Sequence, residues 1–459
     1  MVDLERGTLN DERLIYLANL NLAGKHKMAS IIRDEPHHDC RKSELMYDPP
    51  RLFQNEIESD YYQYLTPKNT LTTGNPLMFE IEGSSDAVDL TSTQLKLRIK
   101  LVEANGGALS ATSKVAPINN ILHSLFSQVT VSLKDNIITQ SNSNYPYRAY
   151  LETLLNYSSG AKKTWLKSAG WEVDDFGKFD DESNTGLAKR RKALEDGGVL
   201  ELKGRLHTDI CFQPRLIPSG LDIRFTLNQS SPQFCVQSFV ATKSYKIEIV
   251  EATMCVRRVK LTPECQLSVE RSLAKKPARL PITYCTLKSC SVSNGLTAYS
   301  QDGLYSGILP SLVIMGMVSN DAYSGSYATN PFNFKNYDLN SLVLTVNGRS
   351  IPSKPLTPNF SAGHVLECYE TLFHALGCGY EDWENDITLE QYINGFTLFA
   401  FNLAADNCPH NNSSVSGTVD ISLRFRTALS ETVSVVFYAQ YENSIFIDQH
   451  RNVVTDIST

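Results

Sequence analysis

A pattern that occurs twice constrains this chain more than any other feature. Residues 129–155 open with Val129, Val131 and Leu133 alternating with Thr130 and Ser132, the period of a strand buried on one face. Lys134-Asp135-Asn136 interrupts as a turn, and Ile137-Ile138 starts a second short strand. After a polar loop, Tyr147, Tyr150, Leu151, Leu154 and Leu155 fall on one stripe of a helix. Residues 342–376 repeat that order. Leu342, Leu344 and Val346 alternate, and Asn347-Gly348 supplies a hairpin turn, since both residues tolerate positive φ. Val365, Tyr369, Leu372, Phe373 and Leu376 then share one helical side. Glu152-Thr153-Leu154 recurs as Glu370-Thr371-Leu372, 218 positions on (370 − 152). Ser219-Gly220-Leu221-Asp222-Ile223 is answered by Ser416-Gly417-Thr418-Val419-Asp420-Ile421, 198 on for the aspartate (420 − 222). The offset shrinks because the loop after the first helix is the longer one. Two structurally equivalent halves are expected.

The rest of the chain fits that division. Residues 1–50 are polar and without periodic pattern, and Pro49-Pro50 closes them as an N-terminal arm. The cluster Tyr61-Tyr62-Gln63-Tyr64 leads into the first domain, expected over 51–260. Strands are expected at 77–82, 94–102, 199–212, 221–227 and 245–259. In the second of these, Leu95, Leu97, Ile99 and Leu101 alternate with Lys96, Arg98 and Lys100, a strand with its basic side in solvent. Residues 259–280 carry Pro263, Lys275-Lys276-Pro277 and a modest helical pattern, which marks the boundary to a second domain over 261–459. Strands follow at 282–292, 308–318, 342–351, 396–403, 418–425 and 433–441. Each half thus holds seven or eight antiparallel strands, one helix and no βαβ alternation. That is the count of a β-sandwich, and eight strands in two Greek keys make a jelly roll. Two long connections, 158–198 and 319–338, stand out. The first is read as a solvated face or a contact between subunits.

With 459 residues the chain suits two domains of roughly 200 residues plus an arm. The net charge of −7 argues against a dedicated nucleic-acid binder, which presents a basic face. No apolar run approaches the ~18 residues of a membrane span, and the charged N-terminus lacks a secretory apolar segment. Sequons at Asn156, Asn228, Asn359 and Asn411 are therefore not expected to be glycosylated. The ten cysteines are scattered without a CxxC pair. Cys211, Cys255, Cys285 and Cys368 sit in apolar runs, where a free thiol behaves as a small hydrophobe; reduced cysteines are expected.

The residues that could carry chemistry do not assemble into a site. There is no GxSxG elbow, HExxH pair, Walker A loop or GxGxxG turn. His37-His38-Asp39-Cys40 holds metal-ligand types in consecutive positions, not at structural-zinc spacing. Asp174-Asp175 and Asp180-Asp181-Glu182 do not follow a calcium-loop spacing. Lys189-Arg190-Arg191-Lys192 is flanked by acidic residues and reads as a solvated face. His123, His207, His364 and His374 lie in elements where a satisfied histidine is the usual outcome. His364 and Cys368, four apart in a helical pattern, allow a thiol–imidazole contact but lack an orienting partner and oxyanion donors. No catalytic, cofactor or metal residues are assigned, and no enzymatic activity is expected.

Several longer strings are more specific. Residues 119–155, 204–212, 320–337 with their Asn-Pro-Phe-Asn-Phe-Lys core, 392–403 and 447–456 resemble, in consistent order, the major capsid protein of Polinton (Maverick) elements and the related adintoviruses. The resemblance runs from about Cys40 to the C-terminus, and 1–39 have no counterpart. It implies an all-β double jelly roll of two tandem eight-stranded sandwiches, each with a short helix. It further implies homotrimeric, pseudo-hexagonal capsomers that tile an icosahedral shell around double-stranded DNA. The partners would be neighbouring capsomers and a minor, penton-type capsid protein, with no cofactor and no specific nucleic-acid recognition. The protein would be made in host cytoplasm and end in the virion. The loops 158–198 and 319–338 then become candidates for towers or intersubunit contacts. Two rival expectations are a domesticated cellular scaffold and a ligand- or glycan-binding jelly roll, which needs a concave site with convergent polar and aromatic groups.

Overall fold

The computed structural model describes residues 56–455, apart from 73, 108, 110–112, 140–143, 241–242, 379–384 and 405–414. The expected arm, its His37-His38-Asp39-Cys40 run and the sequon at Asn411 lie outside the described residues.

Sixteen strands form the frame. The first eight are β1 (Ile57–Leu65), β2 (Leu77–Ile81), β3 (Ala87–Glu103), β4 (Phe126–Leu133), β5 (Asn136–Ile137), β6 (Leu200–Gly204), β7 (Ile223–Gln229) and β8 (Tyr245–Leu261). The second eight are β9 (Ala278–Val292), β10 (Ala298–Ile308), β11 (Leu312–Ser319), β12 (Leu339–Val346), β13 (Arg349–Leu356), β14 (Leu398–Asn402), β15 (Ser416–Phe425) and β16 (Val433–Ile447). Four longer helices accompany them: α1 (Tyr145–Asn156), α2 (Thr185–Lys192), α3 (Pro263–Lys275) and α4 (Leu366–Ala375).

The first half builds two sheets, β1-β8-β3-β6 and β2-β7-β4-β5, and the second builds β9-β16-β11-β14 and β10-β15-β12-β13. Adding eight to each strand number of the first pair reproduces the second pair. The expected duplication is therefore present as topology, with every pairing in these sheets antiparallel. It extends to single atoms. The backbone N–H of Gly83 donates to Asp222 Oδ1 at 2.7 Å, and that of Gly303 donates to Asp420 Oδ1 at 2.7 Å. The helix α1 follows β5 just as α4 follows β13, and α3 links β8 to β9.

Local sequence explains most elements. In β3, Leu95, Leu97, Ile99 and Leu101 are buried, while Lys96 and Arg98 reach outward to Glu201 and Glu251. Asn347 (φ 50°) and Gly348 (φ 79°) turn β12 into β13 as their shared tolerance of positive φ requires. All eight residues of β11, and β16 from Val433 to Tyr441, are buried, so both faces of these strands are covered.

Three expectations need correction. The strand expected at 199–212 is a strand only over Leu200–Gly204 and ends in a helical turn, Asp209–Phe212, which turns Asp209 inward. Strand β1, expected only as a lead-in, and β10 give little alternation in sequence. Both are edge strands with most side chains exposed, so no buried face imposes a period of two. The connection 158–198 is not a solvated loop: it holds Ser159–Lys163, two 3₁₀ turns and α2, and it buries Leu166, Trp171, Phe179, Leu187 and Arg190.

Candidate functional site at the junction of the two sandwiches

The most concentrated polar chemistry in the described residues lies where α1 of the first half meets β9 and β16 of the second. All of α1 is buried, which is unusual for a helix whose apolar stripe covers only one side. Its other flank carries Arg148 and Glu152, one turn apart. Arg148 Nε donates to Glu152 Oε1 at 2.9 Å, and its Nη2 donates to Asp209 Oδ1 at 2.8 Å. Glu152 Oε1 also accepts from Tyr438 Oη at 3.2 Å, and its Oε2 meets His207 Nδ1 at 2.6 Å. Asp209 Oδ1 takes the backbone N–H of Cys285 at 3.1 Å. Tyr438 Oη accepts from Gln440 Nε2 at 3.1 Å and lies 3.0 Å from the Cys285 thiol. One buried arginine thus holds two carboxylates, and both carboxylates reach the second sandwich.

Burial by itself would raise the Glu152 carboxyl. The Arg148 charge and the His207 hydrogen bond outweigh it and hold Glu152 at about 2. Burial lowers His207 from 6.5, so the imidazole is neutral and Nδ1–H is the donor to Glu152. The backbone N–H of His207 donates to Tyr145 Oη at 3.1 Å, leaving the Tyr145 hydroxyl proton for His123 Nδ1 at 3.0 Å. Burial raises Asp209. It also pushes Cys211 up to about 11 and Cys368 up to about 12, so these thiols stay protonated and unreactive near neutral pH.

An aromatic layer adjoins the ion cluster. Tyr150 of α1 stacks on Phe332 at 4.0 Å with an interplanar angle of 5°. Tyr147 stacks on Tyr323 at 5.5 Å and meets Phe332 edge-on at 5.7 Å. Tyr323 Oη donates to Asn144 Oδ1 at 2.7 Å. The long connection 319–338 therefore packs on the first sandwich of its own chain, and each such ring pair contributes roughly 0.5–1.5 kcal/mol beyond its buried area.

The other long connection closes the same joint. Asp180 accepts from the Asn330 backbone N–H at 2.6 Å and from Asn333 Nδ2 at 3.0 Å. Gly177 N–H donates to Asn394 O at 2.7 Å, and Phe179 meets Phe396 at 5.2 Å. Lys162 Nζ donates to Leu154 O at 2.8 Å and also to Asn385 O. Within the connection, Arg190 pairs with Asp174 at 2.7 Å, both buried. Asn184 caps α2 through Oδ1 and donates Nδ2 to Asp174 at 2.9 Å. Arg190 is therefore a buried anchor and not part of a solvated basic face.

The acidic candidates weighed from sequence have these partners. Asp174 and Asp180 are spent on Arg190, Asn330 and Asn333, while Glu182 pairs with Lys114. Among the described residues no group of three or more His, Cys, Asp or Glu is placed to hold a metal ion. His364 lies before α4, bridged to Asn359, so it is not one helical turn from Cys368. No described helix is long and apolar enough to cross a membrane. Sequence reasoning missed Arg148, Glu152 and Tyr438 as a unit; the available signal was a charged pair four apart on the flank of an otherwise apolar helix.

No family model matches the chain. An uncharacterised protein of Caenorhabditis elegans is 23% identical over 419 residues, covering 88% of this chain and 98% of that protein. A chain of the Sputnik virophage superposes with a TM-score of 0.60 at 11% identity, covering 91% of this chain and 92% of the other. The Faustovirus major capsid protein superposes with a TM-score of 0.54 at 9% identity (95% and 99% covered). The mavirus major capsid protein does so with 0.52 at 10% identity (86% and 90%). The fold is a double jelly roll. Its two rolls carry the strand order given above, and the double jelly-roll likeness spans nearly the full length of each chain compared.

Proposed function

We propose that this double jelly roll is a major capsid protein, a structural unit that builds a shell and not an enzyme. The observation that carries the reading is the buried junction. A tandem duplication whose halves share one ion cluster and one aromatic layer behaves as a single rigid block with two similar corners. Three such blocks give six similar corners, a pseudo-hexagonal tile suited to the faces of an icosahedral shell around double-stranded DNA. A three-fold ring of heterologous contacts closes on itself and needs only one interface. Likeness to the major capsid proteins of Faustovirus and mavirus over most of the chain supports the assignment.

On this reading the chain divides into an arm (1–50), a first roll (51–260) and a second roll (261–459). It is a homotrimer whose partners are neighbouring capsomers and a minor capsid protein at the vertices, assembled in a host cell. The Polinton and adintovirus affiliation rests on the strings at 119–155 and 320–337. A nematode relative favours one second reading, a chain retained by a cellular genome as a scaffold; finding packaging ATPase, minor capsid protein and protease genes beside the coding sequence would favour the virion role. Light scattering on the purified full chain tests the proposal: the mass of three copies at micromolar concentration is expected, and a monomer there contradicts it.

A further inference from the structure

The duplication makes one asymmetry informative. Aligning Glu152-Thr153-Leu154 with Glu370-Thr371-Leu372 places Leu366 at the position of Arg148 (148 + 218) and Glu370 at that of Glu152. Both copies of the threonine bond back to the carbonyl four residues earlier, Thr153 to Ala149 at 2.7 Å and Thr371 to Glu367 at 2.6 Å. Arg148 and Glu152 are sealed by the second roll, yet α4 buries only Cys368, Leu372 and Ala375. Leu366 is 58% exposed, and Glu367 and Glu370 lie in solvent beside it.

The sheets show the reciprocal difference. Strand β9 is buried at every position from Ile282 to Leu287, because the first roll covers it through contacts such as Asp209 to Cys285. Its counterpart β1 is exposed from Glu58 to Tyr62, and Tyr62 and Tyr64 are 48% and 68% exposed. Inside the chain, then, the helix of roll one lies against the β9–β16 sheet of roll two. Among the described residues, the helix of roll two and the β1–β8 sheet of roll one are each left without the equivalent cover.

We infer that the exposed face of α4 (Leu366, Glu367, Glu370) docks on β1 (Tyr62, Tyr64) of a second copy of this chain, reproducing between copies the contact that α1 makes with β9 and β16 within one. The inference rests on the shell-building reading and names the surfaces that would join its subunits. The contact is heterologous, so each copy offers one α4 face and one β1 face, and the series closes into a ring. Exposed tyrosines and a leucine are the residue types that make such a contact, since large rings and aliphatic side chains give the most buried area.

The test uses the full chain and two variants, Tyr64→Glu and Leu366→Glu, each placing a charge on one side only. Each alone is expected to have the mass of one copy, with the circular-dichroism spectrum of the parent and a thermal transition lowered only by the lost association. Mixed one to one, they are expected to form a two-copy species and nothing larger: the intact α4 face of the Tyr64 variant meets the intact β1 face of the Leu366 variant, and the spoiled faces cap both ends. Recovery of that species shows that both variants are folded. Should a glutamate variant fail to fold, Tyr64→Ser and Leu366→Ser are expected to raise the concentration of half-assembly by about tenfold or more. Variants that keep the parent's oligomer, as they would if residues 1–55 of the same chain covered these faces, overturn the inference while leaving the shell-building reading intact. Singly monomeric variants that do not pair on mixing overturn it as well. A parent chain that is itself a monomer overturns the shell-building reading.

Discussion

Glu152 and Tyr438 lie 286 residues apart in sequence, yet the tyrosine hydroxyl donates to the carboxylate at 3.2 Å with both side chains buried. This bond runs from the helix of one roll to the sheet of the other. Tyr438→Phe removes it together with the acceptor of Gln440 Nε2, and is expected to cost about 1–3 kcal/mol, the penalty for leaving buried polar groups unpaired. Glu152→Gln strips Arg148 of one counter-charge and is expected to cost more, about 3–5 kcal/mol. Urea denaturation of the two variants measures both; the reverse order would contradict the account of the cluster.

The cluster also fixes how stability depends on acidity. His207 is neutral in the folded chain, with its pKa lowered from 6.5 chiefly by burial. Unfolding below pH 6.5 therefore takes up a proton, so stability present above that pH is lost as the pH falls toward the lowered folded value. His123, lowered by burial and by His207, acts in the same sense. Glu152, depressed from 4.5 to about 2, adds a second loss across that lower window. Asp209, raised by burial from 3.8, offsets part of it. His207→Gln keeps an N–H for Glu152 but cannot titrate. Denaturant midpoints at pH 7, 6 and 5 are expected to fall less steeply for this variant than for the parent.

Gly395 (φ 137°) sits where a Cβ would overlap the ring of Phe179. Gly395→Ala must push Phe179 out of its contact with Phe396, freeing the connection 158–198 from the second roll. Faster cleavage within 158–198 by a limiting protease, with smaller change elsewhere, is the expected outcome.

Asp222 and Asp420 receive the same backbone bond in the two rolls and share no partner. Asp222→Ala and Asp420→Ala are each expected to cost about 1–2 kcal/mol, and the double variant their sum to within about 0.5 kcal/mol. A clear excess or shortfall would mean that the two turns are coupled.

The duplication was legible because its markers are local: an alternating strand, an Asn-Gly turn, a Glu-Thr-Leu string in each helix, and an aspartate just before β7 answered by one within β15. The junction was not, because its members read as ordinary surface. Asp174, Arg190, Arg148 and Glu152 are charged, and nothing in sequence says that they cancel one another in pairs out of water. The connection 158–198 misled for the same reason. Its buried rings, Trp171 and Phe179, are spaced among polar residues whose partners lie more than a hundred positions away, as with Asp180 and Asn330. Strand β1 was hidden because neither of its faces is buried within the chain, and a period of two appears only where one face is.

The most direct test of the central claim, that two equivalent rolls fused by a rigid joint act as one tile, is electron microscopy of the purified full chain. Averaged images are expected to show a ring with a six-lobed outline and strict three-fold symmetry, one pair of lobes per copy. Separate two-lobed particles whose lobes change their mutual orientation from image to image would contradict it.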